Sequence, residues 1–280
     1  MTYTVTIFGA TGKTGRLVLE EALGQGWRAR AAARKPPLVG EWVRFEWDEQ
    51  ERWSEAFEGS DAAYLFIPFK HPRAPETAPQ LLDAAAAAGL SRIVLLSSLD
   101  AERAAPDDAL VRAETALQQL NVGSAILRPT WFFDNFSVGS FAAMTEAGEL
   151  RLPAGEGRIP FVDVRDVAAV ATAALSEDGP SGVLPLTGPV AIDHAQLADA
   201  LSSALQRPIS YTSVSEDEFI TLMIECGFGR DYALFLAEAL TDIASGRLII
   251  PVLDTVERIC GRRAYDAHDF AANYAQNLHR

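Results

Sequence analysis

A glycine-rich turn between a strand and a helix constrains this chain most. Residues 3–8 are β-branched and apolar enough to predict a buried strand, and the sequence GATGKTG follows directly at 9–15. A helix-forming segment comes next at 16–23, and residues 27–33 predict a second strand. Strand, glycine turn, helix and strand within about thirty residues predict a dinucleotide-binding βαβ unit.

Each glycine of the turn has its own expected role. Gly9 permits a tight turn out of the strand, Gly12 lets the backbone approach a pyrophosphate, and Gly15 lets the helix lie close to the strand. The helix N-terminus then offers unpaired N–H groups and a partial positive charge to the phosphates. Further side-chain donors in the turn are Thr11, Lys13 and Thr14.

The same turn has two alternative interpretations. It resembles the end of a P-loop, but that motif needs a glycine five positions before Gly12, where this chain has Ile7. The P-loop is therefore excluded. An ordinary glycine-rich turn is the other alternative, and the flanking strands and helix favour dinucleotide binding over it.

The end of the second strand indicates which dinucleotide binds. An NAD site places Asp or Glu about twenty residues past the glycines, where the carboxylate holds the ribose hydroxyls. Here the strand ends in Arg34 and Lys35, and a guanidinium can hold a 2′-phosphate through two parallel hydrogen bonds. NADP(H) is therefore favoured over NAD(H), with a solvated basic turn as the alternative.

Strands and helices alternate from residue 3 to residue 129, which predicts an α/β fold. We expect a Rossmann-like, doubly wound parallel sheet with helices on both faces. The carboxyl ends of the strands line the ligand crevice in such a sheet. Residues 61–67 predict a strand that Pro68 ends, so we expect Phe66, Ile67 and Pro68 to flank the cofactor.

Four aromatic residues lie within the six positions 131–136, directly after a predicted strand at 124–129. Core filling is the ordinary use of such residues. Their place past the carboxyl end of a strand equally favours a substrate pocket. The candidate substrate-binding residues are Trp131, Phe132 and Phe136.

The later part of the chain is less regular. Residues 158–164 predict a short strand, and Asp166 is placed to cap a helix at 167–175. Asp163 and Asp166 are also a candidate carboxylate pair for acid–base work, but capping is the commoner use of such residues.

The length of 280 residues allows a large core and more than one unit. We expect residues 1–150 to form the NAD(P)-binding Rossmann domain. Residues 151–280 are expected to form a smaller, mainly helical substrate-binding part packed on the same sheet.

Charge and composition exclude several classes of protein. A formal net charge of −14 argues against nucleic acid as a partner, because phosphate binding needs a basic surface. No apolar run is long enough to cross a membrane, and no metal-ligand spacing occurs. Cys226 and Cys260 are expected to be buried, reduced thiols of a cytoplasmic protein. A small-molecule substrate is the expected partner, and the oligomeric state stays open.

With these residues in view, the chain resembles the NmrA-like branch of the atypical short-chain dehydrogenase/reductases. The resemblance is carried by GATGKTG at 9–15, the strand ending in Arg34, LRPTWFFDNF at 127–136, IPFVDVRDVA at 159–168 and LTG at 186–188. Within that branch it looks most like the festuclavine/agroclavine dehydrogenase group. The resemblance implies NADP(H) along residues 9–15 and Arg34. It also implies nicotinamide near Ser97, Ser98 and Pro129 to Trp131, with substrate between the sheet and the C-terminal part.

The chain departs from its family in its acid–base residues. Typical short-chain dehydrogenases carry a Tyr-x-x-x-Lys pair, in which lysine lowers the pKa of the tyrosine so that it can supply a proton. Lysine occurs here only at positions 13, 35 and 70, so no such pair exists. Several NmrA-like relatives keep a lysine in the helix predicted at 107–120, where this chain offers Arg112, a poor proton donor.

Two functions follow from an intact cofactor site without that pair. The first is an NADPH-dependent reductase whose substrate needs little proton donation, such as an iminium ion, a quinone or an activated enone. The alternative is a non-catalytic NADP(H)-sensing regulatory protein, as some NmrA-like members are. The identity of the catalytic residues is left open.

Overall fold

Short runs of buried apolar residues form the strands of the central sheet. The computed structural model of the protein describes residues 2–68 and 71–278. Within these residues the strands are β1 (Thr4–Phe8), β2 (Arg28–Ala33), β3 (Glu41–Arg44), β4 (Ala62–Phe66), β5 (Arg92–Leu96), β6 (Gly123–Pro129), β7 (Glu149–Leu152), β8 (Gly182–Leu186) and β9 (Ser210–Ser213).

Helices connect and cover these strands. Within the same residues the α-helices are α1 (Lys13–Gly24), α2 (Trp53–Phe57), α3 (Ala74–Ala87), α4 (Ala109–Gln119), α5 (Ala142–Ala147), α6 (Val164–Leu175), α7 (His194–Leu205), α8 (Glu216–Glu225), α9 (Arg230–Ala244), α10 (Thr255–Cys260) and α11 (Ala267–Leu278). Single 3₁₀ turns span Gln50–Arg52, Leu99–Glu102 and Phe133–Phe136.

The central sheet has the strand order β3-β2-β1-β4-β5-β6-β8, and each neighbouring pair is parallel. This confirms the predicted doubly wound sheet. Chain order runs outward from β1 to β3 on one side and from β4 to β8 on the other. The carboxyl ends of β1 and β4 therefore form the switch point, where open α/β sheets bind their ligands.

Apolar layers cover both faces of this sheet. On one face, Phe8, Leu65 and Leu95 belong to a buried cluster that also contains residues of α2, α3 and α4. On the other face α1 packs beside α6, and α6 contacts β4, β5 and β6. With both faces covered, every residue of β1 is buried, and β5 is a continuous apolar run after Arg92.

Contacts divide the chain into two units along boundaries that differ from residue 150. The first unit comprises Met1–Thr130, Val164–Leu186 and Thr255–Arg262, and contains the seven-stranded sheet. The second comprises Trp131–Asp163, Thr187–Asp254 and Arg263–Arg280, and contains the two-stranded sheet of β7 and β9.

Three local predictions are wrong. Residues 158–164 form isolated bridges, Ile159 to Ile192 and Phe132 to Val162, because Pro160 lacks the N–H that a continuous strand needs. Both cysteines were expected to be buried, but Cys226 is exposed and Cys260 is half-buried.

The third concerns Asp166. Helix α6 already begins at Val164, so Asp166 lies within its first turn instead of capping it. Its buried carboxylate accepts a hydrogen bond from Nη1 of Arg262 at 2.6 Å.

The described residues contain neither a membrane-spanning helix nor a cluster of metal ligands. No helix among them is long and apolar enough to cross a membrane. No group of three or more His, Cys, Asp or Glu side chains among them is arranged to hold a metal ion.

Candidate functional site

The glycine turn packs the start of α1 directly against the end of β1. Gly9 has a φ of +65°, and a Cβ placed on it would lie 2.7 Å from the Phe66 ring. A Cβ on Gly15 would lie 2.3 Å from the carbonyl oxygen of Gly9. Real Cβ atoms do not approach other atoms so closely, so side chains at both positions would displace the turn. The predicted roles of Gly9 and Gly15 in turning and close packing have this geometric basis.

The first turn of α1 presents backbone donors at this turn. Gly12 is the N-cap residue, has extended backbone and provides no side-chain cap. The Gly12 N–H donates to the carbonyl of Gly9 at 2.8 Å, which fixes the approach to the helix. A helix N-terminus without a side-chain cap leaves N–H groups for oxygen atoms of an anionic ligand.

A cavity of about 620 Å³ opens beside the turn, wholly within the first unit. It brings together most of the residues predicted to bind the cofactor: Gly9, Thr11, Gly12, Lys13, Thr14, Gly15, Arg34, Phe66 and Pro68. Ile67, Ser97, Ser98 and Pro129 lie outside its lining. A cradle whose Cβ positions are blocked, next to a cavity of this size, fits the pyrophosphate and adenosine portions of a dinucleotide.

Sequence reasoning missed about half of the cavity wall. The additional lining residues are Phe8, Ala32, Ala33, Phe45, Glu46, Trp47, Asp48, Tyr64, His71 and Leu96. Most of them lie at or just past the carboxyl ends of β1, β2, β3 and β5. The rule used for Phe66 also covers these strand ends, and applying it to β3 points to residues 45–48.

Arg34 is a cation in the cavity lining. It is exposed, follows β2 directly, and makes no ion pair within the described part of the chain. The acidic neighbours in the cavity wall have other partners. Glu46 lies 3.8 Å from Arg44, and Asp48 contacts Arg73 at 3.1 Å. The Arg34 guanidinium is therefore available to an anionic ligand.

A buried polar network lies at the carboxyl ends of β5 and β6. The Ser97 hydroxyl donates to Oε1 of Glu114, whose side chain is 5% exposed. Arg128 donates to both oxygens of the same carboxylate, at 3.0 Å and 2.5 Å, and its Nη1 reaches Glu102 at 2.9 Å. The Arg128 guanidinium engages both oxygens of the Glu114 carboxylate, and the Ser97 hydroxyl donates to this internal acceptor.

Ser98 behaves in the same way. Its hydroxyl donates to the Asp100 carboxylate at 3.2 Å and accepts from the Asp100 N–H. Both serine hydroxyls that the family resemblance places near nicotinamide are thus directed at carboxylates of the protein.

The aromatic segment after β6 belongs to the second unit. Trp131 and Phe132 are half-buried, and the Trp131 ring stacks on Phe141 with centroids 6.4 Å apart. Phe136 is fully buried and its ring contacts Phe141 and Phe161. Phe136 fills the core of this unit, while Trp131 and Phe132 keep accessible surface. Substrate contact stays a prediction for all three.

Comparison with known proteins agrees with this geometry. The family model described as NAD(P)H-binding matches residues 9–178. An uncharacterized oxidoreductase of Bacillus subtilis, YesF, is 31% identical over 97% of this chain and 95% of its own length. An NAD(P)H azoreductase of Xenophilus azovorans is 29% identical over 97% of this chain and 98% of its own length. Festuclavine dehydrogenase of Aspergillus fumigatus is 26% identical over 96% of each.

Solved structures share the fold over nearly the whole chain. An Escherichia coli NADPH-dependent quinone oxidoreductase in complex with NADPH has a TM-score of 0.81 at 24% identity, covering 99% of this chain and 100% of that one. The negative transcriptional regulator NmrA in complex with NADP has a TM-score of 0.76 at 17% identity, covering 99% and 96%. The predicted resemblance to NmrA-like proteins and to the festuclavine/agroclavine dehydrogenase group is confirmed.

Proposed function

Because the chain belongs to the NAD(P)H-binding family and is an NAD(P)H-dependent reductase, we propose that it reduces small electron-poor organic substrates that need no enzymatic proton donor. An iminium ion fits best, and a quinone or an activated enone comes next. The observation that carries this proposal is a dinucleotide cradle beside a strand end whose two serine hydroxyls, those of Ser97 and Ser98, donate to carboxylates of the protein.

Residues of the first unit would hold NADP(H). Backbone N–H groups of the turn and the side chains of Thr11, Lys13 and Thr14 would bind the pyrophosphate. Arg34 would bind the 2′-phosphate. When bound, the cofactor supplies a hydride.

The available side chains favour a substrate that is already cationic. An iminium carbon that accepts a hydride becomes an amine carbon, and the nitrogen loses its positive charge without taking up a proton. Ser97 and Ser98 donate to carboxylates of the protein and so are not poised as acids. No lysine follows a tyrosine at the spacing of the usual pair. The protein would then contribute positioning and exclusion of water.

Names of relatives support catalysis and a range of acceptors. They include an azoreductase and a festuclavine dehydrogenase, and the E. coli structural neighbour is a quinone oxidoreductase. These names favour a reductase over the sensor alternative. We propose Trp131 and Phe132, which keep accessible surface, for the apolar wall of the substrate site, with the fully buried Phe136 packed against Phe141 behind Trp131.

A substrate panel with purified protein and NADPH tests the proposal. It contains a cyclic N-alkyl iminium salt, a benzoquinone, an activated enone and an unactivated ketone. We expect NADPH oxidation with the first three, fastest with the iminium salt, and none with the ketone.

Two readouts make the test specific. The amine product should carry one deuterium when the cofactor is deuterated at the transferred position. The rate with the permanently charged iminium salt should be nearly flat from about pH 6 to about pH 9, because no protein acid titrates in the hydride step. Saturable NADPH binding without turnover of any activated acceptor would refute the proposal.

A further inference from the structure

Tyr64 lies beneath the cofactor cradle in an unusual polar setting. It is in β4, in register with Ile7 of β1 and Val94 of β5, and only 1% of its surface is exposed. Its hydroxyl donates to Oγ1 of Thr14 at 2.9 Å. Burial raises the pKa of the Tyr64 hydroxyl far above its ordinary value, so it stays a protonated donor at neutral pH.

Thr14 is the second residue of α1, so the carbonyl four residues earlier, that of Ala10, lies outside the helix. Threonines inside helices commonly donate to the carbonyl four residues earlier. In this chain Thr77, Thr115 and Thr221 do so, each at 2.8 Å. Within the described part of the chain, Thr14 makes no such bond and instead accepts from Tyr64.

The hydroxyl hydrogen of Thr14 is consequently left without an acceptor among the described residues. Thr14 is in the first turn of α1 and lines the cavity beside Gly12 and Gly15. An oxygen lone pair occupied by the Tyr64 proton restricts the directions in which the hydroxyl can donate. The cavity is the side of Thr14 on which an acceptor can enter.

We infer that Tyr64 is a positioning residue for cofactor binding: its hydroxyl holds Thr14 so that the threonine donates its proton to a phosphate oxygen of the dinucleotide. The inference rests on the proposed binding of NADP(H) in the cradle. Tyr64 itself does not touch the phosphate, and its whole contribution passes through Thr14. The alternative is a buried polar pair that only stabilises β4 against α1.

A double-mutant cycle on NADPH affinity separates these two roles. The single variants are Tyr64→Phe and Thr14→Val, which remove one hydroxyl each at nearly constant volume. We expect Thr14→Val to raise the NADPH dissociation constant about tenfold, the size of a lost hydrogen bond to a charged acceptor. Tyr64→Phe should raise it several-fold, and the double variant should bind no more weakly than Thr14→Val alone.

Three controls make the cycle interpretable. Thr14→Ser keeps the hydroxyl and should retain near-native affinity. Tyr3→Phe removes a tyrosine hydroxyl elsewhere in the same unit, where it donates to the Leu175 carbonyl at 2.8 Å, and should leave NADPH affinity unchanged. Adenosine 2′-phosphate, a fragment without the pyrophosphate, should bind all variants equally.

The outcomes are distinct. The positioning role would be overturned if the NADPH dissociation constant of the double variant rose by the product of the two single-variant increases. It would also be overturned if Tyr64→Phe had a normal melting temperature and an unchanged NADPH dissociation constant. If Thr14→Val does not fold, Tyr64→Phe and Tyr3→Phe are compared alone. Equal NADPH affinities of these two variants would also overturn the positioning role. Absence of NADPH binding by the unmodified protein would instead refute the proposed function.

Discussion

Arg34 is the residue whose charge should decide between the two dinucleotides. It lines the cavity and makes no ion pair within the described residues. Arg34→Glu should weaken NADPH binding by at least about tenfold and change NADH binding little, because only NADPH carries the 2′-phosphate. Titration of both cofactors by fluorescence measures the two dissociation constants.

A matched charge reversal controls for the protein's net charge of −14. Arg258 of α10 is exposed, lies outside the cavity lining and makes no ion pair within the described residues, so Arg258→Glu makes the same change in charge away from the cavity. It should not distinguish the two cofactors. Equal losses of NADPH and NADH affinity in Arg34→Glu would show that Arg34 does not contact the 2′-phosphate.

Trp131 tests the proposed substrate wall. The side chain is half-buried and stacks on Phe141. Trp131→Ala should raise KM for an iminium substrate several-fold while the NADPH dissociation constant stays within about twofold, because the lost surface is apolar and belongs to the substrate. Trp131→Phe retains a ring and should recover most of the affinity. A loss confined to cofactor binding would place Trp131 outside the substrate site.

His194 should make the second unit sensitive to acid. It is fully buried among Phe136, Phe161 and Tyr211, and neither ring nitrogen has a hydrogen-bond partner among the described residues. This burial lowers the pKa of His194 to about 4, while nearby Asp193 opposes the shift. In the unfolded chain a His has a pKa of about 6.5. Between about pH 6.5 and 4 the unfolded chain therefore binds a proton at His194 that the folded chain does not bind. Stability is therefore complete above about pH 6.5 and falls as the pH approaches 4.

Urea unfolding at two pH values measures this effect. From about pH 7.5 to about pH 5, the unfolding free energy of the native chain should fall by about 2 kcal/mol more than that of His194→Phe. Carboxylates titrate in both proteins, so the difference isolates the imidazole. Equal pH dependence in the two proteins would contradict the buried neutral state of His194.

At the scale of elements, the contact between β1 and α1 depends on Gly15. An added Cβ would meet the Gly9 carbonyl oxygen at 2.3 Å, which is backbone and cannot rotate away. Gly15→Ala should destabilise the protein by about 1–3 kcal/mol and abolish measurable NADPH binding, because the turn must move away from the helix. Calorimetric melting and NADPH titration measure the two effects.

Gly24, at the other end of α1, provides the control for this substitution. No atom lies within 4 Å of a Cβ built there, so Gly24→Ala should stabilise the helix by about 0.5–1 kcal/mol and leave NADPH affinity unchanged. Similar effects of the two substitutions would mean that helix propensity, and not close packing, determines the response.

Features that depend on local sequence, such as glycine spacing and strand ends, were predictable. Features that depend on contacts between distant residues were not. The turn at 9–15 and the basic end of β2 follow from local chemistry, since glycine spacing and strand ends have the same meaning in any βαβ unit. The start of α6 was misplaced because the buried ion pair of Asp166 with Arg262 joins residues 96 positions apart, which no local pattern records. Tyr64 was missed because its importance lies in a bond to Thr14 across the sheet.

At the scale of the whole molecule, the chain returns to the first unit twice after residue 130, at Val164–Leu186 and at Thr255–Arg262. The Thr130 N–H donates to the Leu186 carbonyl at 2.9 Å, and β6 pairs with β8 along Ala125 to Pro129. Helix α6 packs beside α1 on the same sheet. The expected division at residue 150 assigns these later segments to a substrate-binding part packed on the same sheet, because no local sequence feature marks them as members of the first unit.

The first 150 residues alone should therefore not form the cofactor site. A fragment 1–150 lacks α6, β8 and α10, so apolar surface of α1 and of the central strands becomes exposed to water. We expect no cooperative thermal transition and no saturable NADPH binding from it.

A fragment 1–262 retains every segment of the first unit and loses only the stretch that includes α11, which packs against α7 in the second unit. It should keep NADPH binding within about tenfold of the full chain, because the cavity and its supporting helices are all present. Cooperative folding and full NADPH affinity of fragment 1–150 would show that five helices and six strands suffice, and that α6 and β8 contribute nothing essential to the site.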